Sequence, residues 1–318
     1  MLAQSLARRI FMKDDRLRPI LRSIVYVVAL MIVTAFLIGI VAPLARIALT
    51  APPKGAGPTF KSLFVFEACL CAAVVGVAIL LRRFLDRRSI DSLGLAFRGR
   101  WLRLLAFGTL LGAGMQCFVF AIDELLGYSH VTAFAPVRSD MVEIGQFVIL
   151  FALVAVAEEM SMRGYLFQNL WEEWGAPAAI VLTSALFAVL HLGNPNSHAQ
   201  LVLTLSGLVA YAVWACASVI FTRSLWPAVG VHFAWNLFEG PVLGFPVSGI
   251  NFGVPAVAQT IAGPEWFTGG AFGPESGASS LIALFLGFAL LYWLHRRGAF
   301  ADTFDPREPY ARPSNEKG

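Results

Sequence analysis

The chain has 318 residues, of which 58% are hydrophobic and only 14% are charged, and its formal net charge at pH 7 is +4. A mean hydropathy of +0.70 excludes a water-soluble globular domain and indicates a polytopic membrane protein. The positive charge requires no nucleic acid partner, because basic residues at the ends of membrane spans lie against anionic lipid headgroups of the bilayer.

Eight apolar segments, taken in chain order, predict transmembrane helices. Each is close to the roughly 20 residues that a helix needs to cross the hydrocarbon layer. Four of them contain no charged residue, whereas the others carry ionisable side chains. We therefore predict an all-α polytopic membrane protein with about eight transmembrane helices, at 23–45, 61–81, 104–122, 144–166, 175–192, 199–222, 225–243 and 276–294.

The apolar segments and the stretches between them divide the chain into six parts. The segment 241–278 is rich in Gly and Pro, and it is apolar enough to lie on the membrane face or to fold back toward the helices if its backbone groups find partners. The predicted parts are a basic cytoplasmic segment at 1–22, helices with a basic cytoplasmic loop at 23–143, a core at 144–240, an extracytoplasmic loop at 241–278, a last helix at 279–297 and a polar cytoplasmic tail at 298–318.

Basic residues are concentrated at one end of the predicted bundle. Of the 24 Lys and Arg residues, 18 lie before the first span, between the second and third spans, or after the last span. Cytoplasmic loops near helix ends collect Lys and Arg. We therefore predict a multi-pass protein of the cell (inner) membrane with both termini in the cytoplasm.

Polar and ionisable side chains interrupt three of the apolar segments. The motifs are EEMSMR with Glu158, Glu159 and Arg163, FAVLH with Phe187 and His191, and HFAWN with His232 and Asn236. A charged side chain at the bilayer centre costs roughly 2.5 to 3.5 kcal/mol on insertion scales, so the cluster implies a polar cavity with a function. Residues four apart share a helical face, which lets Glu159 pair with Arg163 and leaves Glu158 facing the cavity.

These three motifs, in this order and in successive membrane helices, resemble those of the CPBP family of CAAX prenyl proteases (CAAX prenyl protease 2, Abi type) and bacteriocin-processing enzymes. The chain is identified as a bacterial member on residues 145–240, where every motif position is filled. The resemblance implies an intramembrane endopeptidase with its catalytic core at 144–240 and its polar catalytic cavity inside the helical bundle. The implied partners are the bilayer and a peptide or membrane-protein substrate, lipidated or not, whose identity stays open.

The resemblance also implies roles for the motif residues. Glu158 would activate a water molecule as general base, and His191 would orient that water and handle its proton. His232 and Asn236 would stabilise the oxyanion. A carboxylate in a partly desolvated pocket is suited to such proton transfer. The supporting residues would be Glu159, Arg163 and Phe187.

Several alternatives remain open at the level of sequence. Glu158, His191 and His232 would also form a two-His, one-carboxylate set of the kind that binds catalytic zinc, although we favour a glutamate-type enzyme without a cofactor. A non-catalytic membrane partner such as a bacteriocin immunity protein is the second function class. A transporter is less favoured because no internal repeat is visible. Glu67, in the second span, either reaches the membrane edge or lines the cavity.

Overall fold

The chain folds almost entirely into helices. The structure is a computed structural model that describes residues 11–14, 16–47, 59–97, 99–134, 138–253 and 255–301. Within these residues the strands form two separate antiparallel pairs and no closed sheet, which confirms the all-α polytopic fold. The pairs are β1 (Met12–Lys13) with β2 (Arg16–Leu17), and β3 (Ser129–Phe134) with β4 (Val257–Ile261).

Seven helical segments of the described chain are long and apolar enough to cross a membrane. One of them, Ile144–Trp174, comprises most of α4 (Arg138–Glu159), a π-helix (Met160–Leu166) and α5 (Phe167–Trp174). Another, Ala176–Gly193, comprises α6 (Ala176–Leu190) and a 3-10 turn (His191–Gly193). The others are α1 (Pro19–Leu44), α2 (Phe60–Phe84), α3 (Trp101–Leu125), α7 (Leu201–Thr222) and the last helix (Ala278–Arg296).

The segment predicted as a further span, 225–243, forms a shorter helix inside the bundle. It consists of α8 (Trp226–Leu237) and a second π-helix (Phe238–Val242). At its start Leu225 N–H donates to the Gly94 carbonyl, and just beyond its end Gln259 donates to the Leu243 carbonyl. Nearly every residue of α8 is buried, so other helices surround it rather than lipid. A helix without lipid contact need not match the hydrocarbon thickness, which explains its length.

Glycines allow α8 to lie directly against α3. A Cβ at Gly108 of α3 would collide with the Pro227 carbonyl, and a Cβ at Gly230 of α8 would collide with the Leu105 carbonyl. Small residues permit this close approach of backbones in membrane helices, where packing rather than hydrophobicity drives association. The contact fixes the helix that carries His232 and Asn236.

A buried network of charges joins α1, α2 and α5 at one end of the bundle. Arg22 pairs with Glu172 at 3.0 Å and Arg82 pairs with Asp86 at 3.0 Å, while Arg88 reaches Glu172 at 2.7 Å. Arg22 and Arg82 are no more than 1% exposed. These two residues therefore do not lie against lipid headgroups, which was the sequence-based explanation of the basic excess.

The described residues of the segment 241–278 fold onto the bundle. After the second π-helix it contains an isolated bridge between Val247 and Ile250, the strand β4, a short helix α9 (Glu265–Thr268) and a 3-10 turn (Pro274–Ser276). The last helix, Ala278–Arg296, is α10. Residues 1–10 of the predicted basic segment and 302–318 of the predicted tail lie outside the described residues.

Candidate active site

A cavity of about 500 Å³ lies inside the bundle. Most of its wall is apolar, with side chains from α1, α2, α4, α7 and the segment 241–278. The four residues predicted to be catalytic all line it, although they belong to three separate parts of the sequence. These residues are Glu158, His191, His232 and Asn236.

The two adjacent carboxylates of α4 have different surroundings. Glu159 is fully buried, and its Oε1 accepts hydrogen bonds from Arg163 at 3.2 Å, Tyr211 at 3.1 Å and His232 Nδ1 at 2.9 Å. The Glu158 side chain is 27% exposed, and its Oε2 has no hydrogen-bond partner within the described residues. The charge-assisted hydrogen bonds to Glu159 hold its carboxylate in place. The Glu158 carboxylate has no such bonds to its Oε2 and is therefore available to a molecule in the cavity.

The helix geometry changes next to Glu159 and close to Asn236. The π-helix Met160–Leu166 follows Glu159 directly, and the second π-helix Phe238–Val242 begins two residues after Asn236. Segments of π-helix are rare in proteins and occur frequently at functional sites. Both of them here lie beside residues that line the cavity.

His191 lies at the end of α6, where the helix tightens into a 3-10 turn. Its Nδ1 is 2.8 Å from the Phe187 carbonyl oxygen. Because a carbonyl oxygen can only accept, Nδ1 carries the proton of this hydrogen bond. In the neutral ring, Nε2 is then the nitrogen with a free lone pair. The ring also packs against that of Phe187, with 4.5 Å between centroids.

His232 faces a carboxylate with each ring nitrogen. Nδ1 is hydrogen-bonded to Glu159, and Nε2 is 3.7 Å from Glu158 Oε2, which is an ion-pair distance rather than a hydrogen bond. Asn236 lies one turn further along α8 and is 7% exposed. The two side chains therefore contribute to one wall of the cavity, as residues four apart on a helix should.

Phe187 and Arg163 form a support behind the site. The Arg163 guanidinium carbon lies 4.7 Å from the centroid of the Phe187 ring, and both residues are buried. A buried cation over an aromatic face is stabilised by the ring quadrupole. Phe187 therefore packs beneath His191 and also contacts the cation that neutralises Glu159.

Part of the chain is similar to a known protein family. Residues 141–238 match the family model described as type II CAAX prenyl endopeptidase Rce1-like. The match confirms the resemblance to the CPBP intramembrane proteases. It supports an intramembrane CAAX-type protease in general and a multi-pass membrane protein. No curated protein and no solved structure gives a significant match to the chain.

Three further polar residues of the cavity were not assigned a role from the sequence. The Tyr211 hydroxyl of α7 donates a hydrogen bond to Glu159. The sequence signal for this contact was a tyrosine in an otherwise apolar helix, because a buried tyrosine hydroxyl usually finds a hydrogen-bond partner. Glu67 lines the cavity and is 9% exposed, which answers the question of where it lies. Glu275 reaches the cavity from the segment 241–278 and accepts a hydrogen bond from Ser248 at 2.6 Å.

The protonation of Glu275 depends on its position at the cavity wall. Burial raises the pKa of the Glu275 carboxyl above its usual range. The hydrogen bond from Ser248 lowers the pKa of this carboxyl, and so would a positive charge on the His191 or His232 ring, but these effects are smaller than that of burial. A cation placed beside Glu275 would favour its ionised form.

The alternative zinc set does not fit the arrangement of the side chains. Among the residues that the structure describes, no group of three or more His, Cys, Asp or Glu side chains is placed to hold a metal ion. Glu158 and His232 approach each other, but His191 does not complete a three-ligand site with them. Catalytic zinc sites use three protein ligands, so we derive no step through a metal.

Proposed function

We propose that the chain is a glutamate-type intramembrane endopeptidase in which Glu158 activates the hydrolytic water. One observation carries this proposal, namely that Glu158, His191, His232 and Asn236 line one cavity while Glu159 is neutralised behind it. Only one of the two adjacent carboxylates is then open to a substrate. A carboxylate with few partners in a partly desolvated cavity is a suitable general base.

In the proposed reaction, water attacks the carbonyl carbon of the scissile peptide bond as Glu158 removes a proton from it. His191 accepts a hydrogen bond from the same water through Nε2, since its Nδ1 is committed to Phe187. The carbonyl oxygen becomes an oxyanion, which accepts hydrogen bonds from His232 and the Asn236 amide. The carbon–nitrogen bond then breaks, and the proton held by Glu158 passes to the leaving amine.

The supporting residues act on the geometry of this site. Glu159 fixes the His232 ring through Nδ1 and is itself held by Arg163 and Tyr211. Orientation of a catalytic imidazole by a buried carboxylate is a recurrent device in hydrolases. Arg163 stabilises Glu159 in its charged form, so that the two glutamates have separate roles.

The proposed substrate is a peptide or a segment of a membrane protein, lipidated or not, that reaches the cavity from the bilayer. The mostly apolar wall supports this, because apolar side chains or a lipid group would lie against it without loss of solvation. We further propose that the basic end of the bundle faces the cytoplasm in the cell (inner) membrane, with both termini on that side, in keeping with the excess of Lys and Arg there.

The test is cleavage of a quenched library of lipidated and unlipidated peptides by the purified protein in detergent. Wild type, wild type with chelator and Glu158→Ala are compared. We expect cleavage by the wild type with and without chelator and none by the variant. Loss of activity in chelator would favour a metalloprotease, and no cleavage by folded wild type would favour the non-catalytic partner.

A further inference from the structure

The π-helix Met160–Leu166 lies between the two carboxylates of the site and the buried network of charges. Glu158 and Glu159 precede it directly, and Ser161 within it lines the cavity. Toward its other end, Tyr165 is hydrogen-bonded to a member of the network. One short segment therefore connects the proposed base with the charged end of the bundle.

The Tyr165 side chain is held by two neighbouring parts of the fold. Its hydroxyl donates to Asp86 Oδ1 at 3.0 Å, and its ring stacks on that of Tyr26 in α1, with 4.4 Å between centroids. All three residues are fully buried. Arg82 fixes the acceptor through Asp86 Oδ2 at 3.0 Å. A hydrogen bond to an ionised acceptor is stronger than one between neutral groups, so this contact attaches the π-helix firmly to the end of α2.

The backbone of the π-helix needs such support. Phe167 N–H donates to the Met162 carbonyl five residues back, which is the bonding of a π-helix and not of an α-helix. Segments of π-helix are rare, and unusual backbone conformations persist only where the surrounding structure holds them. At one end of this segment the support comes from the hydrogen bonds to Glu159, and at the other end it comes from Tyr165.

The register of the π-helix determines which carboxylate faces the cavity. Neighbouring residues of a helix point about 100° apart around its axis, so Glu158 and Glu159 have different directions. A return of the segment to α-helical bonding would turn the end of α4 relative to the bundle by up to about that angle. Glu158 would then turn away from the cavity, and Glu159 would lose its alignment with His232.

We infer that Tyr165 is a positioning residue for the reaction, and that its hydrogen bond to Asp86 holds the π-helix in the register that directs Glu158 into the cavity. This inference rests on the proposed function, because Glu158 is the proposed base. Tyr165 itself does not line the cavity, so it acts on the reaction through the backbone. A misplacement of about 1 Å caused by a change far from the chemistry can cost about 10²-fold in rate.

The test is Tyr165→Phe in the full-length protein in detergent, because this change removes the hydroxyl and keeps the ring that stacks on Tyr26. We expect kcat on the best library peptide to fall by at least about tenfold, through misplacement of the base. KM should change by less than about twofold, because the residues that line the cavity are unaltered. An unchanged kcat, or an increase in KM alone, would overturn the inference.

Tyr292→Phe is the matched control. Tyr292 is 44% exposed in α10, and its hydroxyl accepts a hydrogen bond from Arg296 at 3.2 Å. This variant should keep the wild-type kcat. Thermal unfolding of both variants establishes that each is folded at the assay temperature, so that kcat refers to folded enzyme.

Double variants distinguish positioning of the base from a general loss of stability, which would lower kcat by the same factor in every background. Added to Asn236→Ala, Tyr165→Phe should again lower kcat by about tenfold, because Asn236 acts on the oxyanion from α8. Added to Glu158→Gln, it should lower kcat by less than about twofold, because the base is already absent. Single-turnover rates with enzyme in excess measure the slow variants.

The outcomes separate the inference from the function beneath it. Equal losses from Tyr165→Phe in the wild type and in both backgrounds contradict the positioning of Glu158. A wild type that cleaves peptides while Tyr165→Phe keeps its kcat defeats the inference alone. A folded wild type that cleaves no peptide of the library defeats the proposed function.

Discussion

Asn236 is a side chain whose loss should slow the reaction without stopping it. Its amide is one of two proposed donors to the oxyanion, and removal of one such donor costs about 10²–10³ in kcat in known enzymes. Asn236→Ala is therefore expected to lower kcat by about that factor with little change in KM. The measurement is steady-state cleavage of the best library peptide.

Asn251→Ala is the control for this prediction, since Asn251 is exposed in the segment 241–278. It should retain wild-type kcat. An Asn236→Ala variant with unchanged kcat would contradict the donor role, as would a loss of activity as complete as that of Glu158→Ala.

The three donors to Glu159 should not contribute equally to stability. Arg163→Met leaves a fully buried carboxylate without its ion-pair partner, and breaking a buried pair in this way costs about 3–5 kcal/mol. Tyr211→Phe removes one hydrogen bond to a charged group and should cost about 1.5–3 kcal/mol. The free energy of unfolding, measured by denaturant titration in mixed micelles, should fall further for the first variant. The opposite order would contradict the central position of the ion pair.

At the level of helices, the contact between α3 and α8 depends on the absence of side chains. Gly108→Ala forces a methyl group into the Pro227 carbonyl, and overpacking of this kind costs about 1–3 kcal/mol. Because α8 carries His232 and Asn236, activity should fall together with stability. Thermal unfolding and kcat on the same preparation measure both effects.

Gly114→Ala provides the matched control in the same helix. No atom lies within 4 Å of a Cβ at Gly114, so this variant should be neutral or more stable by roughly 0.5–1 kcal/mol through its higher helix propensity. Equal destabilisation of the two variants would show that loss of glycine, rather than the contact with α8, is responsible.

The sequence could predict helices and motif faces but not the contacts between distant helices. The long apolar runs determine the spans, and the spacing of four determines that Glu159 reaches Arg163. Tyr211 contacts Glu159 across 52 positions of sequence, and such a contact depends on how α7 packs against α4. The two π-helices and the return of Glu275 to the cavity are likewise products of tertiary packing, for which local periodicity carries no signal.

At the scale of the whole molecule, the buried charge network fixes α1, α2 and α5 to one another. Arg22 is fully buried and bonds to Glu172, to Asn169 and to the Leu17 carbonyl. Arg22→Met removes a positive charge that compensates the buried carboxylate of Glu172. This variant should lower the free energy of unfolding by about 3–5 kcal/mol. The effect should change little with salt, because buried pairs are poorly screened.

Arg83→Met is the control for the network, because Arg83 follows the buried Arg82 in α2 but is itself exposed. Its stability should stay within about 0.5 kcal/mol of the wild type. Comparable losses in the two variants would show that the basic residues act through the lipid surface and not through the internal network.

The role of Glu158 as general base is tested most directly by the kcat/KM of Glu158→Gln on the best library peptide. The amide keeps the size of the side chain but cannot take a proton from water, so we expect a loss of about 10²–10⁴ with a folded protein. Glu158 Oε2 makes no hydrogen bond within the described residues, so stability should be nearly unchanged. Full activity in a folded Glu158→Gln variant would contradict the assignment of Glu158 as the general base.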